Sequence, residues 1–104
     1  MYKVSVMYPN DEGSSFDFNY YRDTHMRLVQ EHMAEFGLKA IGIERGVAGE
    51  AGARAPYICV GTLFFEEPDA FDKAIAAKGH ILRPDIPNFT NTTPIRLISE
   101  VLEG

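Results

Sequence analysis

The order of apolar and polar residues along the chain predicts four strands and two helices. A period of two is typical of strands, and a period near 3.6 is typical of helices. The first helix is expected to begin at a cap, Ser15 or Asp17, and to stop at Gly37 after about Phe36. Residues 80–94, which contain three prolines, are expected to be irregular. The predicted strands cover residues 2–8, 38–47, 56–65 and 95–102, and the second helix covers residues 68–79.

This order of elements, β-α-β-β-α-β, predicts an α+β fold of the ferredoxin-like type, with both helices on one face of an antiparallel sheet. Residues 56–65 are apolar on both faces of their strand, with Ile58, Val60 and Phe64 on one of them. Two helices cover only one face, so the other face needs a second cover. We therefore expect one domain over residues 1–104 that forms a homodimer by sheet-to-sheet packing.

Composition and charge narrow the classes of partner. The chain has 104 residues, of which 45% are hydrophobic and 24% charged, as in ordinary globular proteins. Its net charge of −5 and its scattered basic residues argue against nucleic acid. The cysteine and histidine residues lack zinc-type spacing, which predicts no metal site. The chain shows no signal peptide and no apolar run long enough to span a membrane, which predicts no membrane contact. With a lone cysteine, a cytoplasmic location is expected.

The first predicted helix carries a histidine at the centre of its apolar face. At 100° per residue, this face consists of Phe18, Tyr21, His25, Leu28, Val29, His32 and Phe36. A dry core would have to satisfy several buried polar atoms here, which a pocket between helix and sheet does more easily. His25 is thus either a hydrogen-bonded core residue or a ligand contact. In the second case its desolvated, neutral imidazole can act as a general base.

Three tyrosines surround this candidate. Tyr21 lies one turn before His25 and can donate a hydrogen bond to a developing enolate or phenolate oxygen. Tyr8 ends the first strand and is expected near the mouth of a helix–sheet pocket. Tyr20 points away from the apolar face, which favours a surface or dimer contact.

The remaining candidates favour structural roles. His32 lies near the end of the helix, where a cation suits the helix dipole. It is about 10 Å from His25 along the helix axis, too far for the pair to share a metal ion. Cys59 is expected to be a small core residue, and His80, after the second helix, a surface or capping residue.

Several catalytic signatures are missing from the chain. It has no glycine-rich phosphate loop, no G-x-S-x-G elbow, no carboxylate pair in an apolar setting and no flavin fingerprint. An enzyme of this sequence would therefore work with histidine and tyrosine alone, without a cofactor.

Two motifs resemble a known family. The first is Tyr8–Pro9 followed by F-D-x-x-Y-Y-x-x-x-H from Phe16 to His25. The second is D-I-P-N-F-T from Asp85 to Thr90, with Pro94 and the dipeptide Glu100–Val101 further along the chain. Together they span nearly the whole chain, which resembles the EthD-like family of small bacterial proteins.

The resemblance implies a dimeric α+β barrel, in which two ferredoxin-like subunits pack sheet to sheet. Proteins of that wider superfamily include cofactor-independent monooxygenases, polyketide cyclases, lactone isomerases and haem-degrading enzymes. The family's namesake is linked to ethyl tert-butyl ether degradation without a clear role. The resemblance therefore specifies the fold better than the reaction.

Carried over residue by residue, the resemblance makes His25 the family's helix histidine, with Tyr21 and Tyr8 as pocket partners. Asn88 and Phe89 match the tail motif, which is expected to close one end of the pocket. The chain departs from the family at Arg27, where many relatives have a proline after this histidine.

The leading hypothesis is a homodimer that binds a small hydrophobic molecule. If it is an enzyme, it oxygenates or isomerises an aromatic or ketone-like substrate in a catabolic pathway, without a cofactor. The catalytic candidates are His25 and Tyr21, and the ligand-binding candidates are Tyr8, Leu28, His32, Asn88 and Phe89. The alternatives are a non-catalytic carrier, a haem-binding protein with His25 or His32 as axial ligand, and a purely structural dimer.

Overall fold

The computed structural model, which describes residues 1–104, contains one four-stranded antiparallel sheet. The spatial order is β2-β3-β1-β4, so the first and third strands lie side by side at the centre. The predicted ferredoxin-like α+β class is confirmed. The strands are β1 (Tyr2–Pro9), β2 (Leu38–Arg45), β3 (Tyr57–Phe65) and β4 (Ile95–Glu100).

Two helical segments connect the strands. The first, α1, comes after β1 and a loop, and it consists of four parts in direct succession. They are an α-turn (Phe18–Tyr20), a π-helical turn (Tyr21–His25), an α-helix (Met26–Met33) and a 3₁₀ turn (Ala34–Phe36). The second, α2 (Ala70–Leu82), precedes β4. The Asp17 carboxylate caps α1 by accepting the Tyr20 backbone N–H at 3.0 Å. Gly37, with φ of 87°, ends α1 in the left-handed conformation, as predicted.

The π-helical turn changes which residues of α1 face the core. The Met26 N–H bonds to the carbonyl of Tyr21, five residues back. Because this turn holds more residues than a regular one, the face rotates after His25. Met26 and Met33, absent from the predicted apolar face, are buried, whereas Leu28 and His32 are only half-buried. Beyond His25 the predicted stripe was right for Val29, which is buried, and wrong for Leu28 and His32, since it assumed 100° per residue throughout.

The segment after α2 is also more regular than predicted. The helix continues through Gly79 to Leu82, and a 3₁₀ helix (Arg83–Asn88) follows directly. Proline is tolerated at the start of a helical turn, where its missing N–H has no partner to lose, so Pro84 does not end the segment. The prediction of an irregular segment was therefore wrong for residues 80–88, whereas residues 89–94 belong to no helix or strand, as predicted. His80 lies within α2 rather than after it, and it is exposed.

The core lies between the helical segments and one face of the sheet. In the sheet, Val4 pairs with Leu63 and Val6 with Gly61, and cross-strand neighbours point to the same side. Cys59 is fully buried there, as predicted, and burial raises the pKa of its thiol to about 12. The largest fully buried side chains are Tyr8, Tyr21, Phe65, Met26, Met33, Val4 and Cys59.

The opposite face of the sheet carries apolar side chains without a cover. Met7 pairs with Val60 on one side and with Ile95 on the other. Ile95 is 50% exposed and Leu97 is 52% exposed. We call this surface the open face. Neither helical segment is both long and apolar enough to cross a bilayer.

Candidate functional site

A small cavity lies between α1, α2 and the covered face of the sheet. Its free volume is about 50 Å³, and most of its lining is apolar. Ligand pockets usually measure about 300–1,000 Å³, so the cavity as it stands has room for water or one small group. The polar residues that line it are Tyr8, Tyr21, His25, Arg83 and Arg96.

The imidazole of His25 is paired with a carboxylate. Its Nδ1 lies 2.9 Å from Oδ2 of Asp85, and the two side chains are only 8% and 11% exposed. An ionised carboxylate can only accept a hydrogen bond, so Nδ1 carries the proton and Nε2 holds a free lone pair. Nε2 has no hydrogen-bond partner in the protein. Every fully buried side-chain nitrogen or oxygen does have a partner, so Nε2 is not fully buried. Nε2 is therefore the ring atom left open to the cavity.

The Asp85 carboxylate is held by two further donors. Its Oδ1 accepts the Tyr20 hydroxyl at 2.6 Å and the Asn88 side-chain amide at 3.0 Å. Burial opposes ionisation of Asp85, but the hydrogen bonds from Tyr20, Asn88 and His25 outweigh it and lower its pKa. Asp85 therefore stays ionised and fixes the orientation and tautomer of His25.

The state of His25 at neutral pH follows from its surroundings. Burial lowers its pKa below the ordinary 6.5, although the hydrogen bond to Asp85 acts in the opposite direction. Its ring stacks on Tyr21 with 5.6 Å between centroids, and Phe89 packs against it at 4.6 Å. His25 is therefore neutral near pH 7, as a general base must be.

The two tyrosines of the cavity keep their protons. Tyr8 and Tyr21 are each 2% exposed, and burial raises the pKa of both hydroxyls. The Tyr21 hydroxyl lies against Gly61 of β3, where an added Cβ would collide with it. The missing side chain at Gly61 thus lets Tyr21 reach the sheet. Both hydroxyls stay protonated at neutral pH, and they interact with each other, so a ligand oxygen would compete with this contact for the Tyr21 donor.

The structure brings some of the predicted site residues together and leaves others apart. Tyr8, Tyr21 and His25 meet at the cavity. The ring of Phe89 packs behind them, with its centroid 4.9 Å from that of Tyr21 and 5.8 Å from that of Tyr8. Asn88 contacts the site only through hydrogen bonds to Asp85 and Tyr20. Two predicted ligand contacts on α1 do not line the cavity, because of the rotation after the π-helical turn: Leu28 and His32.

Sequence reasoning missed the partners of His25. Tyr20 was expected on the surface or at a dimer contact, but it is half-buried and donates to Asp85. Asp85 itself lies 60 residues from His25 and entered the prediction only as part of a motif. Its spacing of three from Asn88 is a usable signal, since residues i and i+3 lie on one side of a 3₁₀ helix. No group of three or more His, Cys, Asp or Glu side chains is placed to hold a metal ion.

Comparisons with known proteins agree with the fold. A family model described as the EthD domain matches residues 12–93. The crystal structure of an EthD-like protein from Ralstonia eutropha is 34% identical, with a TM-score of 0.91 over 98% of this chain and 92% of that one. An ethyl tert-butyl ether degradation (EthD) family protein from Bacillus halodurans is 18% identical, with a TM-score of 0.71 over 98% and 99% of the two chains.

A more distant neighbour is a dimeric ferredoxin-like protein from an uncultured marine organism. It is 12% identical, with a TM-score of 0.53 over 100% of this chain and 97% of that one, a likeness of fold alone. A search of curated proteins gave no significant match.

Proposed function

The chain belongs to the EthD family, and from this premise we propose that it is a homodimer that binds a small hydrophobic molecule beside His25 and transfers a proton on it without a cofactor. The pairing of His25 with Asp85 at an apolar cavity carries this proposal. A histidine held in one tautomer by a carboxylate, with Nε2 open, is the arrangement of a general base.

The proposed reaction begins with removal of a proton from the substrate. Nε2 of His25 accepts the proton from a carbon next to a carbonyl group, or from a phenol. Asp85 stabilises the imidazolium that forms, and the Tyr21 hydroxyl donates a hydrogen bond to the enolate or phenolate oxygen. Return of the proton to another carbon gives isomerisation. Addition of O₂ to the carbanion, followed by return of the proton from His25 to the new peroxide oxygen, gives a hydroperoxide.

The size of the cavity bears on how a substrate enters. An aromatic ring exceeds a volume of about 50 Å³, so lining residues must move on binding. The 3₁₀ helix contributes Arg83 and Ile86 to the lining. We propose that this helix moves outward when the substrate binds. A haem macrocycle does not fit this cavity, because its free volume is only about 50 Å³. We derive no role for haem.

Hydrogen–deuterium exchange tests the proton transfer directly. The protein is incubated in D₂O with cyclic aryl ketones such as 2-tetralone, and loss of the α-proton signal is followed by NMR. We expect His25→Gln to slow the catalysed exchange by about 10²- to 10⁴-fold. His80→Gln, the same change at an exposed histidine, is the matched control and should have no effect.

Each outcome of this test decides between hypotheses. Unchanged exchange in a correctly folded His25→Gln protein would remove His25 from the mechanism. Binding of the ketones without accelerated exchange by the native protein would instead support the non-catalytic carrier.

The open face supports the proposed homodimer. Ile95 and Leu97 are half-exposed apolar residues on a surface that continues across Met7 and Val60. Burying such a surface against a second copy is favourable by about 25 cal/mol per Å². In sedimentation velocity the native chain should be a dimer and Leu97→Asp a monomer. Leu102→Asp is the control, because Leu102 is 86% exposed beyond the end of β4 and should leave the dimer intact. A monomeric native chain would disprove the dimer.

A further inference from the structure

Two arginines at the mouth of the cavity have no partner in the protein. Arg83 begins the 3₁₀ helix after α2, and Arg96 lies on β4 opposite Val6. Both line the cavity, and both are exposed. Neither guanidinium donates a hydrogen bond or forms a salt bridge. The opening of an otherwise apolar cavity thus carries two unpaired positive charges.

The other arginines of the chain are all engaged. Three of them donate hydrogen bonds within the protein: Arg22, Arg27 and Arg54. Arg45 lies 4.2 Å above the Phe18 ring. The two unpaired arginines therefore stand out in a chain of net charge −5, and they occur at the same opening. Such a local excess of positive charge attracts anions.

The surface outside the mouth is also suited to an anion. The cavity shares Arg83, Ile86 and Arg96 with a shallow polar groove of about 460 Å³. The groove contains no acidic side chain; its other lining residues are Pro87, Thr90, Asn91, Thr92, Thr93 and Pro94. An anionic group at this mouth would meet no opposing carboxylate. The Thr90 hydroxyl and the Asn91 amide already donate to Ser15 and Gly13, so the free hydroxyl donor of the groove is that of Thr93.

A glycine inside α2 makes room for one of the arginines. A Cβ built at Gly79 would lie 3.2 Å from Nη1 and 3.3 Å from Cζ of Arg83, so the guanidinium packs directly over this residue. Glycine in a helix interior is unfavourable relative to alanine. A side chain at this position would push the guanidinium away by a few tenths of an ångström, so the glycine leaves room for Arg83 beside the mouth.

We propose that the ligand of this cavity is an amphipathic organic carboxylate. Its apolar body enters between α1 and the sheet towards His25, and Arg83 and Arg96 bind its carboxylate at the mouth. Planar guanidinium groups suit carboxylates because they can donate two parallel hydrogen bonds. This inference names the substrate class of the proposed function and rests on it for the identity of the site.

The test compares benzoate with benzamide, a neutral molecule of nearly the same shape, by NMR titration of the ¹⁵N-labelled full chain. We expect benzoate to bind at least about tenfold more tightly and to shift the amide signals of Gly61 and Arg83. Arg83→Gln and Arg96→Gln should each weaken benzoate binding about tenfold and leave benzamide unchanged. Arg27→Gln removes the same charge from the far side of α1 and should change neither.

Three results would overturn the inference. They are equal affinity for the two probes, no saturable binding of either, and a loss in Arg27→Gln as large as in the mouth variants. Gly79→Ala gives a separate check on the position of Arg83. It should raise the melting temperature through helix propensity yet weaken benzoate binding. Unchanged benzoate affinity in this variant would contradict the positioning.

The inference and the proposed function fail in different ways. His25→Gln should abolish deuterium exchange and retain arginine-dependent binding of benzoate. Arginine-dependent binding without any exchange would support the carboxylate site and disprove the catalytic role. Exchange that responds neither to a carboxylate on the ketone nor to the arginine variants would support the catalytic role and disprove the carboxylate site.

Discussion

The two faces of the sheet differ in what they contain. On the covered side lie three buried side chains that carry polar atoms, Tyr8, Tyr21 and His25, in an apolar setting. The open face presents half-exposed apolar residues such as Leu97. Adjacent residues of β4 point to opposite faces of the sheet: Arg96 lines the cavity and Leu97 lies on the open face. The alternation of side chains along a strand thus separates the candidate chemistry from the candidate assembly surface.

The largest contrast between the faces is expected in stability. Leu63 on the covered face is 4% exposed, and Leu63→Ala should lower the free energy of unfolding by about 2–5 kcal/mol. Leu97→Ala is the same change on the open face and should cost less than about 0.5 kcal/mol in dilute solution, where no partner covers it. Urea denaturation at low and high protein concentration measures both. A similar loss in the two variants at low concentration would show that the open face is part of the core.

A second contrast concerns two glycines on neighbouring strands. Gly61→Ala places a methyl group against the Tyr21 hydroxyl and should cost about 1–3 kcal/mol by overpacking. Gly42→Ala is the control on the open face, because its Cβ would lie at an ordinary 3.6 Å from Thr62. We expect Gly42→Ala to leave thermal stability nearly unchanged. Equal melting temperatures for the two variants would mean that Tyr21 moves aside freely.

A third, smaller contrast separates the buried hydrogen bond between His25 and Asp85 from an exposed ion pair. Asp85→Asn removes the charged acceptor of His25 and should lower stability by about 1–2 kcal/mol. Asp23→Asn breaks the exposed pair with Arg22 and should lower stability much less, because water screens both charges. The ¹⁵N shifts of the His25 ring should show a single Nδ1–H tautomer in the native protein and a mixture in Asp85→Asn. One tautomer in both proteins would show that Asp85 does not orient the ring.

The smallest effect is expected in the dependence of stability on pH. The folded-state pKa of His25 lies below its unfolded value of about 6.5, so the unfolded chain takes up the proton first as pH falls. The stability contributed by neutral His25 is therefore complete above about pH 6.5 and is lost as pH falls through the folded pKa. The lowered pKa of Asp85 adds a loss at still lower pH, below its ordinary 3.8. His25→Gln should flatten the plot of unfolding free energy against pH near about pH 6. An unchanged slope would mean that other groups cause the pH dependence.

Local patterns in the sequence were sufficient for much of the fold. The strands came within two residues of their observed ends, because alternation along a strand is set by the pleat of the backbone itself. Gly37 ended α1 as expected, since few other residues adopt a φ of 87° without strain. The uncovered second face of β3 was visible in the same way. The motifs from Phe16 to His25 and from Asp85 to Thr90 also identified the family, which the EthD domain match confirms.

The site shows where such reasoning ends. The sequence by itself determined that His25 and Tyr21 turn inward, because both lie on one face within the first turns of α1. Only the tertiary structure placed Asp85 at His25 and brought Arg83 beside Arg96, because these contacts join residues far apart in the chain. The π-helical turn was also visible only in the structure, because a periodicity of 100° per residue assumes a regular helix. Periodicity reports which side of an element is buried, and long-range packing decides which groups meet there.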